Sequence, residues 1–108
     1  MTKLADAKCE PCGPDTPALA GAELEQLHGQ LDGWSLVENK HLEKEYRFKD
    51  FVQALAFVNR LGEVAEAEGH HPDIFLTWGK VKVTLWTHSV GGLSKNDFVL
   101  AAKADGVL

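Results

Sequence analysis

The chain has 108 residues, which suits one compact domain around one apolar core. Its 44% hydrophobic and 25% charged residues are ordinary for a globular protein, and a net charge of −5 argues against nucleic acid as the main partner, since phosphate binding needs a positive surface. The longest apolar runs fall far short of the ~20 residues of a membrane helix, which argues against a membrane partner.

The start, Met1-Thr-Lys-Leu-Ala-Asp6, has no apolar signal region, so a cytoplasmic protein is expected. Residues 1–18 hold three of the four prolines and read as an irregular arm; residues 19–108 read as a single domain. The arm carries both cysteines, Cys9 and Cys12. That spacing is open to a redox pair or half of a zinc site. A structural zinc site needs four ligands, and no second cysteine pair is present. A redox pair wants a helix start after a strand, which this Pro- and Gly-rich segment is not. The plainest reading is a loose tail.

A short helix is expected over residues 22–30, with Leu24, Leu27 and Leu31 on one face. Residues 34–38 and 41–48 read as two strands joined by a turn at Asn39-Lys40. In the second, Leu42, Tyr46 and Phe48 point one way with Lys44 as the polar exception, and His41, Glu43, Glu45 and Arg47 point the other. The best helix spans residues 51–68. Asp50 is its expected N-cap, Gln53 the capping partner, and Gly69 its left-handed end. Phe51, Leu55, Val58, Gly62 and Ala65 are the expected core face. Two more strands follow, residues 73–78 and 80–88, joined at Gly79. A third helix over residues 94–104 starts at Ser94. The order α-β-β-α-β-β-α predicts an α+β fold, a four-stranded antiparallel sheet with three helices on one face. The other face is left open, with Trp86 and His88 projecting onto it. The fourth strand is expected at an edge, where it invites pairing between subunits.

Three of the five histidines fall between residues 70 and 88, flanked by Glu66 and Asp97. Histidine gives and takes protons near neutral pH, so such a cluster suits proton transfer. His70 and His71 sit at a helix–strand junction, and the tight hairpin returns His88 to the same end of the sheet. Structural roles compete with this: His71 as a loop residue before Pro72, His70 beside a helix end, Asp97 completing a capping box with Ser94, Glu66 as a solvated helix residue. A metal is a rival, but the helical ligand spacing it favours is missing and adjacent histidines fit one ion badly. His28 and His41 read as surface residues.

The pattern Glu66-x3-His70-His71-Pro72-x5-Trp78-x9-His88-x8-Asp97 resembles the signature of the pterin-4a-carbinolamine dehydratases. The resemblance extends to Lys80-Val-Lys-Val-Thr-Leu-Trp-Thr-His88 and Gly92-Leu93, and covers the chain from about residue 20 onward. It implies a lyase that dehydrates 4a-hydroxytetrahydropterin, left by aromatic amino acid hydroxylases, to quinonoid dihydropterin, with no metal or organic cofactor. It implies His70, His71 and His88 as acid–base residues and Asp97 and Glu66 as supporting carboxylates. Pterin binding would fall to His71, with Trp78 at an aromatic position of the signature. Ile74 stands where some relatives carry Trp. A homodimer or homotetramer is implied, with a second protein partner possible. The alternative on the same fold is a non-catalytic interaction or assembly module.

Overall fold

Two strands with strict alternation build the centre of the molecule. The computed structural model describes residues 4–10 and 17–108. In β2 (His41–Arg47) Leu42 and Tyr46 are buried, and in β4 (Lys80–Leu85) so are Val81, Val83 and Leu85. The two pair antiparallel, Leu42 opposite Leu85 and Tyr46 opposite Val81, so their apolar sets share a face. β1 (Ser35–Val37) joins β2, and β3 (Asp73–Thr77) joins β4, giving the order β1-β2-β4-β3. β4 therefore runs inside the sheet and not at an edge as expected. A strand with every second residue fully buried sits best where helices cover its whole length, and the edges fall to β1 and β3.

With α1 (Gly21–His28), α2 (Phe51–Glu68) and α3 (Lys95–Gly106), the element order is α-β-β-α-β-β-α, as expected. α2 packs on β3 and β4, α3 lies beside α2, and α1 leans on α3. The Tyr46 ring lies 4.6 Å from Phe57 of α2 and its hydroxyl bonds Asp105 of α3, so both helices cover the face to which Tyr46 points.

The α2 N-cap forms as expected: Asp50 Oδ1 accepts from the Gln53 backbone N–H at 2.9 Å, while Gln53 Oε1 accepts from Lys49 N at 3.3 Å. The core face of α2 is rotated from the expected one. Ala54, Phe57, Leu61 and Ala65 are buried, whereas Phe51 and Leu55 are 42% and 39% exposed and Gly62 faces open space. Two stripes of this helix have helical spacing. The aromatic pair Tyr46 and Phe48 selects the one carrying Phe57, which lies 4.6 and 5.3 Å from their rings.

Lys44, the polar exception on the covered face, is held by Asp105 at 2.8 Å. Asp105 also accepts from Tyr46 Oη at 2.6 Å and Trp34 Nε1 at 3.1 Å. A carboxylate near a helix C-terminus meets the negative end of the dipole, and these three donors offset that cost. Burial, then the Asp105 bond and charge, push the Tyr46 phenol well above its ordinary range.

Residues 4–10 lie along α3. Leu4 is buried, Lys103 Nζ donates to Ala5 O at 2.8 Å, Cys9 N donates to Glu68 Oε1 at 2.8 Å, and Glu10 N donates to Asn96 Oδ1 at 2.9 Å. The expectations for Cys12 lie outside the described residues.

Candidate active site

Gly69 ends α2 in the left-handed conformation, φ 68°, and its N–H and that of His70 close on the last turn of the helix. The chain then leaves through His70-His71-Pro72 into β3. This exit delivers His70 onto Asp97, with Nε2 2.6 Å from Oδ1. Asp97 is fully buried in the first turn of α3. Its Oδ2 accepts from the Ser94 backbone N–H at 2.9 Å and from Thr87 Oγ1 at 2.7 Å. The two oxygens of Asp97 thus divide: one completes the capping box, and the other holds His70.

These contacts fix proton positions. A carboxylate can only accept, so Nε2 of His70 and Oγ1 of Thr87 both donate to it. Thr87 Oγ1 lies 2.8 Å from Ser94 Oγ. With its own proton committed to Asp97, Thr87 accepts there and Ser94 donates. A neutral His70 is left with Nδ1 as its basic nitrogen. Among the described residues, no buried side-chain nitrogen or oxygen lacks a partner.

His71 is held differently. Its Nε2 lies 3.0 Å from Glu66 Oε2, and the two side chains are 60% and 83% exposed. A pair this wet contributes little to stability and leaves the imidazole able to move.

His88 follows Thr87. The register Asp73 opposite Thr84 returns the end of β4 to the start of β3, and the Thr87–Asp97–His70 contacts link the two segments. The strand ends at Leu85, short of the expected residue 88, because Thr87 is drawn to Asp97 and Ser94 and bridges Gly92. His88 opens a single 3₁₀ turn, His88–Val90, that closes at Gly91 with φ 67°. It is exposed, and its ring stacks on Trp86 at 3.7 Å.

Trp78 stands apart, 67% exposed in the β3–β4 turn. Roughly 20 Å of extended chain separates it from His71, so one bicyclic ring cannot touch both within a single chain. His28 is not a loose surface residue: its Nε2 lies 2.6 Å from Trp34 O and ties the end of α1 to the start of β1. His41 packs 4.9 Å from Trp86. Thr87 escaped the sequence reading as a site residue, although a signal was there. It shares the parity of Leu85, and a polar residue on the buried side of a strand must find a partner. Among the described residues, no three His, Cys, Asp or Glu side chains are grouped to hold a metal ion.

A family model described as Pterin 4 alpha carbinolamine dehydratase matches residues 17–107. The chain belongs to this family. Among similar members of the pterin-4a-carbinolamine dehydratase family, a protein of Alkaliphilus metalliredigens is 50% identical over 106 residues, covering 97% of this chain and 96% of its own. Another, from Rubrobacter xylanophilus, is 50% identical over 105 residues, with 97% and 98% covered. Both are provisionally named pterin-4-alpha-carbinolamine dehydratase. A Brucella melitensis crystal structure, described as a transcriptional coactivator/pterin dehydratase, superposes with a TM-score of 0.79 at 33% identity, covering 83% of this chain and 97% of that one. A pterin dehydratase-like RuBisCO assembly factor of the alpha-carboxysome has a TM-score of 0.61 at 24% identity, over 70% of this chain and 89% of that one, and shows the shared fold.

Proposed function

We propose that the chain is a 4a-hydroxytetrahydropterin dehydratase, a hydro-lyase that acts in the cytoplasm and supports tetrahydropterin recycling for aromatic amino acid hydroxylases. Family membership and relatives at 50% identity over nearly the whole chain support the activity. The observation that carries the mechanism is the 2.6 Å contact of His70 with a fully buried Asp97.

The reaction breaks the C4a–O bond. The departing hydroxyl must receive a proton and leave as water, and a ring nitrogen must lose one as the quinonoid C=N bond forms. Two imidazoles in opposite protonation states do both. His70, its Nε2 committed to Asp97, offers Nδ1 for one transfer, and His88 serves the other. His71, tethered to Glu66 at the wet rim, orients the ring. The residues need no metal or organic cofactor for these transfers. Trp78 would reach the pterin only from a second copy of the chain, and a homo-oligomer is part of this reading.

The test is direct. Purified protein is added to freshly generated carbinolamine pterin, and the absorbance change is compared with the spontaneous rate. Acceleration is expected. A rate equal to the blank rejects the proposal and leaves the fold to a binding role.

A further inference from the structure

His70 takes its orientation from Asp97 by a hydrogen bond, and His71 is loosely tethered to Glu66 at the exposed rim. His88 takes its orientation from an aromatic face, and the sheet register explains why. β2 and β4 pair with Leu42 opposite Leu85, both fully buried under the helices. One step further out, alternation sends His41 of β2 and Trp86 to the uncovered face, side by side across the ladder. Thr87 is extended, φ −113° and ψ 108°, so the residues on either side of it, Trp86 and His88, share that face. The result is a row of three mutually tilted rings. His41 lies 4.9 Å from Trp86 at 53°, and Trp86 lies 3.7 Å from His88 at 37°.

We infer that Trp86, braced by His41, is the positioning residue for His88 in the proposed dehydration, an inference that rests on the dehydratase reading. Three features carry it. The backbone before His88 is pinned, because Thr87 bonds Asp97, Ser94 and Gly92. The indole then fixes the plane of a ring that is otherwise exposed, and an exposed side chain samples several rotamers. The indole itself is only half-buried, and among the described residues no helix covers that face, so the imidazole of His41 on the neighbouring strand is its support. Trp86 acts through His88 and does not take part in proton transfer.

Kinetics of Trp86→Leu test this. A ring stack of this kind is worth a factor of about 2 to 10 in population of the productive rotamer. The expected result is a fall in kcat of that size with KM little changed, and Trp86→Phe restores most of the loss. In a His88→Ala background the same Trp86→Leu change is expected to have no further effect, because the two residues act as one unit. A loss carried by KM, or an equal loss without His88, overturns the inference. Trp86→Thr, suited to an open sheet face, replaces the Leu variant if that does not fold. A readout independent of activity is the proton NMR signal of the His88 ring. It is expected upfield in the wild type, under the indole ring current, and at its ordinary position in Trp86→Leu. An unshifted wild-type signal refutes the stack even in an inactive protein, whereas an inactive wild type with the shift refutes only the dehydratase reading.

Discussion

Asp97 concentrates most of the consequences at the scale of single residues. Removing either proposed proton-transfer partner, as in His70→Ala or His88→Ala, is expected to lower kcat by about 10²- to 10⁴-fold, with the melting temperature nearly kept in His88→Ala and lowered in His70→Ala, which strips a donor from the buried Asp97 carboxylate. Activity and thermal melts on the same samples check this, and near-full turnover in both variants rejects the assignment. Asp97→Asn is subtler. Its amide keeps one acceptor for the capping box but turns a donor towards His70. The imidazole must then accept at Nε2 and carry its proton on Nδ1, the reverse of the tautomer that the proposed mechanism uses. A loss of about 10²-fold in kcat is expected, with about 1–2 kcal/mol of stability. Tyr46 governs a different property. Its phenol is raised by burial and Asp105 above the ordinary value of 10.0, so the folded state keeps a proton that the unfolded chain releases. Its stabilising contribution is full below pH about 10 and is lost as pH climbs above it, at up to about 1.4 kcal/mol per pH unit. Thermal melts from neutral to strongly alkaline pH should show this limb in the wild type and a flatter one in Tyr46→Phe.

At the scale of elements, caps and turns were legible because their chemistry is local. Asp50, Gln53, Gly69 and Ser94 each satisfy backbone groups within a few residues of themselves. Gly69→Ala isolates one of these. An added Cβ meets nothing within 4 Å, so its cost is the left-handed backbone alone, about 1–2 kcal/mol, and Gly69→Asn should recover part of it. Chemical denaturation of the two variants measures the difference. What spacing left undecided is which of two apolar stripes α2 buries, because both repeat at three and four residues. That choice is made by Phe48 and Tyr46, side chains on another element. Lys44 was legible only as an exception for the same reason: Asp105, its partner, lies 61 residues away. The candidate site divides likewise. Glu66, His70, His71 and Asp97 stand out by residue type, and the hairpin places His88 at the same end of the sheet. For Thr87 and Trp86 alternation gave the face, but their partners, Asp97 and His41, lie on other elements.

The stripe that α2 leaves uncovered matters for the whole molecule. Phe51, Val52 and Leu55 are 42%, 74% and 39% exposed on neighbouring turns. Burying such a stripe against a second copy favours association. The homo-oligomer proposed above is expected to form there, so the double change Val52→Glu and Leu55→Glu should sediment as a smaller species than the wild type. An unchanged mass places the contact elsewhere. The long reach of α3 bears on how the chain is made. Asn96, Lys103 and Asp105 hold Glu10, Ala5, Trp34, Lys44 and Tyr46, segments that leave the ribosome well before that helix. Contacts so distant along the sequence slow maturation. Until α3 emerges, the nascent hairpin and its leading segment lack their anchor, and the emerging polypeptide spends that interval open to chaperones and proteases.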